Sequence, residues 1–281
     1  MTEFTINEQL INDYITYMRQ EEKSAATIEK YKRDLYKFYD YLPENKHLKK
    51  EYVIEYKNIL MTHYSISSVN SFLAALNCFF KFAGHYELCV KSVKKQKNLF
   101  CEDFKILSME EYKRLVTAAE QLGKERLSLI IQTIASTGIR ISELEFITVD
   151  AVQTGRARIN MKGKIRVVIL PKSLCLKLAK YCLCKNIEFG AVFKTSVGNN
   201  VDRCNIWSEM KKLCAYAAVD SQKVFPHNLR HLFARTYYSA SKDLNRLADI
   251  LGHSSIETSR IYTMTSAESL EKSLEELGLV I

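Results

Sequence analysis

Six side chains of this sequence have types suited to chemistry on a phosphodiester. They are Arg140, Lys162, His227, Arg230, His253 and Tyr262. A phosphodiester gains negative charge on its nonbridging oxygens in the transition state, so cations fixed around it are the main catalytic resource. Arginine forks match those oxygens, and a tyrosine hydroxyl can act as a nucleophile. The set does not match the catalytic residues of a serine hydrolase or the ligand set of a metal hydrolase.

Two of the clusters that hold these residues lie at predicted helix starts. Arg140 lies in the segment Ser-Thr-Gly-Ile-Arg-Ile-Ser-Glu-Leu, residues 136–144. His227 and Arg230 lie one turn apart on one face of another helix. Helical patterning does not require these polar residues, so they are candidates for a functional role.

The third cluster predicts a helix break followed by a new helix. Gly252 stops the preceding helix and His253 follows it directly. Ser254 and Glu257 form a predicted capping box. The new helix then carries Tyr262.

The lysine is predicted at the tip of a β-hairpin between Arg156 and Leu170. Apolar residues first alternate there and then form a β-branched run, with a tight reversal at Lys162-Gly163. Lys164, two residues later, is the alternative lysine.

Each residue taken singly also has an ordinary structural interpretation. Arg140 could be a surface ion-pair residue, Tyr262 a core aromatic and Lys162 a turn lysine. His227 and His231 could bind zinc, but a third ligand is missing. The joint arrangement favours catalysis.

The elements that must position these residues are predicted to be mostly helical, because the chain has only three prolines and nine glycines. Apolar residues recur at three- and four-residue steps in Ser24–Leu42, which Pro43 ends, and again in 67–83. With weaker helices near 6–19 and 49–62, these segments predict a small four-helix domain.

A basic segment follows this helical domain. Residues 90–97 lack a clean period and are either a linker or a solvated surface loop. The expected division is a helical domain at 1–87, a basic linker at 88–104 and a catalytic domain at 105–281. The Ser108–Glu111 capping box starts the first helix of the last domain.

Composition bears on partners and location. The formal net charge of +9 suits a polyanionic partner such as nucleic acid. The eight cysteines are scattered without CxxC pairs, which indicates reduced thiols packed as small apolar residues. We find no signal peptide and no apolar run that could cross a bilayer, so we expect a cytoplasmic protein without a membrane partner.

The sequence resembles the tyrosine recombinase (phage integrase) family, which includes the Xer-type recombinases. Thr137–Leu144 matches the family's Thr-Gly-x-Arg-x-Ser-Glu-Leu box, and His227–His231 matches its His-x-Leu-Arg-His motif. Leu251–His253 together with Thr258 and Tyr262 matches the third motif. The helices of the first domain resemble the family's core-binding domain more loosely.

Departures from the family pattern are small. Asn228 stands where an acidic residue is common, and Leu232 where a small polar one is common. The resemblance favours Lys162 over Lys164, since the family lysine precedes the hairpin glycine, although the turn here is shorter than usual.

The resemblance implies a mainly α fold with a small β-hairpin in the catalytic domain. An N-terminal four-helix, SAM-like core-binding domain precedes a C-terminal tyrosine recombinase catalytic domain. A last helix with a capping box at Thr265–Glu268 is either an arm that docks on a neighbouring protomer or a helix packed on its own domain.

The resemblance also implies a mechanism that joins the chain to DNA through a 3′-phosphotyrosyl link and frees a 5′ hydroxyl, without a cofactor, nucleotide or metal. An unperturbed tyrosine has a pKa of about 10, so its attack needs positive charge or a base nearby. The roles implied are phosphate stabilisation by Arg140, Arg230 and His253, attack by Tyr262, proton acceptance by His227 and proton donation by Lys162.

The implied partner is double-stranded DNA with inverted-repeat recombination sites, bound by a homotetramer in the synapse and with room for an accessory or partner recombinase. Integration, excision, inversion and resolution share this chemistry. Two rival functions are DNA relaxation of the type IB topoisomerase kind and noncatalytic DNA binding by the same fold.

Overall fold

The computed structural model describes residues 4–94, 106–161, 164–195, 198–253, 255, 258–259, 261–262 and 275–276. The chain divides into two compact units, Met1–Lys97 and Asn98–Ile281, called here the first unit and the second unit. The described helices are α1 (Glu8–Gln20), α2 (Ala25–Tyr41), α3 (Lys50–His63), α4 (Ile66–Phe82), α5 (Met109–Gln121), α6 (Glu125–Thr137), α7 (Val149–Thr154), α8 (Lys172–Cys184), α9 (Arg203–Ala217), α10 (Pro226–Ser241) and α11 (Leu244–Leu251). The described strands are β1 (Phe4–Thr5), β2 (His47–Leu48), β3 (Arg156–Met161) and β4 (Lys164–Ile169).

The first unit packs α1 to α4 around an aromatic core, and the four helices predicted there are confirmed. The side chain of Ser24 caps α2 by accepting a hydrogen bond from the Thr27 amide at 3.3 Å. Phe38, Phe79 and Phe80 are fully buried between the helices. Strands β1 and β2 form a two-residue antiparallel pair that the sequence analysis did not predict.

The first unit ends in an extended strap, residues 89–94, that is hydrogen-bonded to α4. The side-chain amide of Asn77 exchanges two hydrogen bonds of 2.9 Å with the backbone of Val90. Asn70 does the same with Val93 at 2.9 and 2.7 Å. Asn70 and Asn77 are two turns apart, so both amides lie on one face of α4.

The strap lies within the segment 88–104 that the sequence analysis assigns to the linker. Its residues are therefore bound to the first unit and not free in solvent. Side-chain amides that bond backbone leave no periodic signal in the sequence, which is why the pattern did not indicate this. The boundaries 1–87 and 105–281 stay predictions, since 95–105 lies outside the described residues.

The described residues of the second unit form a large apolar core that includes residues of α5 to α10 and of the hairpin, and a smaller separate cluster of Ala234, Leu247, Leu251 and Tyr262. The predicted capping box is confirmed. The amide of Glu111 donates to Ser108 Oγ at 3.1 Å, and the amide of Ser108 donates to Glu111 Oε2 at 2.8 Å. Leu115 and Ile131 are fully buried where α5 and α6 face this core.

The predicted hairpin is formed by β3 and β4, which pair antiparallel from Arg156↔Ile169 to Met161↔Lys164. Its orientation differs from what hydrophobicity suggests. Val167 is 57% and Ile169 is 74% exposed, whereas the Arg166 side chain is only 17% exposed. An inward arginine needs a buried partner, and the candidate site supplies one.

None of the helices in the described ranges combines the length and apolar character needed to cross a bilayer. The seven cysteines within those ranges are free thiols. Cys182 and Cys214 are buried, but Cys78, Cys184 and Cys204 are exposed, so the expectation of buried thiols holds for only part of the set.

Candidate active site

Arg230 lies in the second turn of α10 and is only 1% exposed. Its Nη1 donates to the carbonyl of Gly138 at 2.5 Å, and its Nη2 donates to the carbonyl of Leu251 at 2.7 Å. Gly138 ends α6 and Leu251 is the last residue of α11. The guanidinium therefore caps the carboxyl ends of two helices, where a cation is favoured by the helix dipoles.

Burial lowers the pKa of Arg230 to about 10, with the charge of Arg140 acting in the same direction. The electrostatic interaction with Tyr262 opposes that shift. Arg230 is therefore still a cation at neutral pH. Its charge lies in the protein interior, bonded to His253 in the pocket that holds Tyr262.

Gly138 is required where these elements meet. It has a left-handed φ of 67°, and a Cβ there would lie 2.4 Å from Phe233 Cδ1 and 2.9 Å from Leu251 Cδ2. Only glycine adopts this conformation readily and leaves room for both neighbours. The glycine of the 136–144 segment thus lets its carbonyl reach Arg230.

Arg140 lies just before a short 3₁₀ helix, Ile141–Phe146, and differs from Arg230 in exposure. Its side chain is 42% exposed and contacts Glu143 Oε1 at 3.2 Å through Nη1. Its backbone amide donates to Glu143 Oε2 at 2.7 Å. The backbone of Arg140 is fixed, while part of the guanidinium faces solvent.

Glu143 joins this turn to the hairpin. Arg166 donates to both of its carboxylate oxygens, at 2.8 and 2.7 Å, and Glu143 is 1% exposed. Burial alone would raise the pKa of Glu143, but hydrogen bonds from Arg166 and from the Arg140 backbone outweigh it and lower the pKa. Glu143 is therefore a buried anion shared by two arginines.

The sequence analysis missed both Glu143 and Arg166. An acidic residue three positions after a helix start is a capping signal, and it could have identified Glu143. Arg166 has no such signal. Its side chain passes over Gly252, where a Cβ would lie 2.8 Å from Arg166 Cδ, so the glycine stop also clears a path for this arginine.

Three imidazoles and Tyr262 share one pocket with Arg230. The ring of His231 lies 4.8 Å from that of Tyr262, and the ring of His253 lies 6.0 Å from it. His227 is 4.7 Å from His231. Tyr262 itself is 4% exposed. The structure thus brings together Arg140, His227, Arg230, His253 and Tyr262 from segments far apart in sequence.

His253 is bonded through both ring nitrogens. Arg230 Nη2 lies 2.9 Å from its Nε2, and Ser259 Oγ lies 2.7 Å from its Nδ1. Because arginine only donates, Nε2 accepts and Nδ1 carries the proton that goes to Ser259. To donate a hydrogen bond to phosphate, as expected of it, His253 must therefore give up one of these two hydrogen bonds. Ser259, fully buried, was not identified from the sequence.

The three histidines are neutral at pH 7. Burial, followed by the charge of Arg230, lowers the pKa of His253 to about 4. Burial also lowers the pKa of His231 to about 4 and depresses the pKa of His227. A neutral His227 can accept a proton, as the role expected of it requires.

Several expectations fall outside the described residues. They concern Lys162, the capping box of Ser254 and Glu257, and the last helix from Thr265. The choice between Lys162 and Lys164 stays a prediction. Within the described part of the chain, no group of three or more histidine, cysteine, aspartate or glutamate side chains has an arrangement that could hold a metal ion.

The two departures from the motifs pack into the second unit. Asn228 is buried and its Nδ2 donates to the carbonyl of Lys223 at 2.7 Å. Leu232 is 8% exposed and belongs to the main core. Both positions serve packing at the start of α10.

Comparison with known proteins places both units. A model of the phage integrase family matches residues 105–269, more than half of the chain, and a model of the phage integrase N-terminal SAM-like domain matches residues 11–86. Tyrosine recombinase XerA of Pyrococcus furiosus is 28% identical and aligns with 100% of this chain and 98% of its own length. Tyrosine recombinase XerA of Thermococcus onnurineus is 30% identical over 98% of this chain and 97% of its own.

Among solved structures, a lambda integrase tetramer bound to a Holliday junction is similar in fold. The match has a TM-score of 0.72 at 16% sequence identity, and it covers 90% of this chain and 76% of the integrase chain.

Proposed function

The chain belongs to the phage integrase family, and from that premise we propose that it is a site-specific DNA recombinase whose nucleophile is Tyr262. The family match bears out the predicted fold class, a mainly helical chain with a SAM-like N-terminal domain and an integrase catalytic domain. It also makes the chain an enzyme that cuts and transfers DNA strands.

The observation that carries the assignment of residues is that Tyr262 is buried against the rings of His231 and His253, in the pocket where Arg230 bonds to His253. A buried cation in this pocket can stabilise the negative charge that develops on the attacking oxygen. The same cation, with Arg140, can then stabilise the phosphate oxygens.

Proton transfer is assigned to His227 and Lys162. His227 is neutral at pH 7 because burial depresses its pKa, and it is one turn from Arg230 on α10. We assign it as the base for the Tyr262 proton. Lys162, which follows β3 in the sequence, is assigned as the acid that protonates the leaving 5′ oxygen.

The proposed product is a 3′-phosphotyrosyl link with a free 5′ hydroxyl, which attacks the equivalent link of a partner strand. Double-stranded DNA with inverted repeats is the proposed substrate. Four protomers on two duplexes are the proposed working assembly, in line with the lambda integrase tetramer on a Holliday junction.

A covalent-capture experiment tests the function and identifies the target sequence at the same time. The protein is incubated with a pool of duplexes that carry randomised inverted repeats and a nick near their centre. Cleavage beside the nick releases a short fragment, which diffuses away and leaves the protein joined to DNA. Denaturing gels isolate the adduct, and sequencing identifies the target.

The matched control is Tyr262→Phe, which removes one oxygen and should retain DNA binding while forming no adduct. Polynucleotide kinase should label the new 5′ hydroxyl if the link is to the 3′ phosphate. Absence of any adduct from the wild type would favour noncatalytic DNA binding. Relaxation of supercoiled plasmids without inverted repeats would favour the topoisomerase alternative.

A further inference from the structure

His231 belongs to the second motif, yet the phosphodiester chemistry above gives it no role. It lies one turn after His227 on α10, and its ring contacts both His227 and Tyr262. The ring centroids of His231 and Tyr262 are 4.8 Å apart with an interplanar angle of 73°. The same edge-to-face arrangement relates His227 and His231, at 4.7 Å and 79°. It is one of the geometries that aromatic pairs prefer.

His231 and His253 contact the tyrosine in different ways. His253 is fixed by hydrogen bonds to Arg230 and Ser259, and its ring is stacked on that of Tyr262 at 6.0 Å. Within the described residues, the His231 ring nitrogens make no hydrogen bond to protein. His231 therefore contacts Tyr262 through the packing of its ring.

The charge state of His231 suits packing. Burial, then the charges of His227, Arg230, Arg235 and His253, lowers its pKa to about 4. The ring is neutral at pH 7 and adds no further cation beside Arg230.

On the premise that Tyr262 is the nucleophile, we propose that His231 is a positioning residue that holds the phenol ring of Tyr262 in the orientation it has in the pocket of Arg230 and His253. Without this ring, Tyr262 loses one wall of its pocket. A displacement of about 1 Å at a reacting group can slow a reaction by about a hundredfold.

The test measures single-turnover adduct formation at saturating protein on a nicked duplex from the capture experiment. His231→Phe keeps an aromatic ring without nitrogens, and its rate should stay within about threefold of wild type. His231→Ala and His231→Gln lack the ring and should be about tenfold to a hundredfold slower, with DNA affinity retained. Thr236→Ala, an exposed position on the same helix, is the control and should be unchanged.

A His231→Ala rate equal to wild type overturns the proposal. So does a slow His231→Phe with a fast His231→Gln, because that pattern assigns the role to a ring nitrogen. If His231→Ala fails to fold, the proposal is decided by His231→Leu, which fills the volume and should be slow while Phe is fast. A wild type that forms no adduct defeats the proposed function, whereas a fast Ala variant defeats only the role of His231.

Discussion

The surroundings of Arg140 and Arg230 differ, although the family motifs suggest two equivalent guanidinium groups that bind the phosphate. Arg230 is 1% exposed and both of its Nη atoms bond to protein carbonyls. The Arg140 side chain is 42% exposed, and Glu143 is its ion-pair partner among the described residues. Arg230 therefore stabilises the packing of the second unit in addition to its place in the site. Arg140 is fixed through its backbone, and part of its guanidinium faces solvent.

Glu143 explains how the exposed arginine is still positioned. Its carboxylate accepts from the Arg140 amide and from the Arg166 fork, so the turn that carries Arg140 is tied to the hairpin. The strong bonds thus go to the backbone of Arg140 and to Arg166. We infer that fixing the backbone leaves the guanidinium free to meet a phosphate.

The largest expected effect is that of Arg230→Ala. It removes transition-state charge, so adduct formation should fall by at least about 10² to 10³. It also leaves the carbonyls of Gly138 and Leu251 without donors, so the free energy of unfolding should fall by about 2 to 5 kcal/mol. Trp207, the chain's single tryptophan, lies on α9, and its fluorescence reports on the second unit during urea unfolding.

Arg140→Ala should separate chemistry from stability. Adduct formation should fall by about 10² to 10³, because a phosphate-binding cation is lost. The free energy of unfolding should change by less than about 0.5 kcal/mol, because the side chain is partly exposed and Glu143 keeps Arg166. A loss of stability as large as that of Arg230→Ala would contradict the distinction between the two arginines.

Gly138→Ala tests whether the close packing around Gly138 is needed to place the carbonyl that binds Arg230, and it leaves the Arg230 guanidinium in the protein. The new Cβ would overlap Phe233 and Leu251 in addition to straining a left-handed backbone, so the free energy of unfolding should fall by about 2 to 4 kcal/mol. Gly123→Ala is the matched control, since Gly123 has a φ of 66° and no heavy atom within 4 Å of the place that a Cβ would occupy. It should cost about 1 to 2 kcal/mol. Equal losses in the two variants would mean that the close approach at Gly138 is unimportant.

Features set by neighbouring residues could be predicted from the sequence. The Ser108–Glu111 capping box, the four helices of the first unit and the β3–β4 hairpin are confirmed, because each signal lies within a few residues. The family boxes also identified residues that the structure collects in one pocket.

The features that were missed depend on long-range contacts. Arg166 reaches Glu143 from 23 residues away, and Arg230 reaches the Gly138 carbonyl from 92 residues away. No local period encodes such pairs. The face of β4 that points into the core could not be predicted from the sequence, because the strand has apolar residues on both faces. The buried carboxylate of Glu143 explains why Arg166 points inward.

The smallest expected effect concerns pH and separates the imidazole pocket from the two arginines. The pKa of His231 is about 4 in the folded protein and near 6.5 when unfolded, so the unfolded state binds more protons between these values. Stability is therefore fully present above pH 6.5, falls as the pH drops toward 4, and levels off below that.

His231→Phe should reduce the slope of the unfolding free energy over this window by less than about 1.4 kcal/mol per pH unit, the limit for one proton. Urea titrations followed by Trp207 at pH 7, 6 and 5 measure the slope. Thr236→Ala, an exposed position on the same helix that carries no titratable group, is the control and should leave the slope unchanged. If His231→Phe and wild type show the same slope, the His231 ring is protonated as readily in the folded pocket as in the unfolded chain, and its packing on Tyr262 does not depend on a neutral ring.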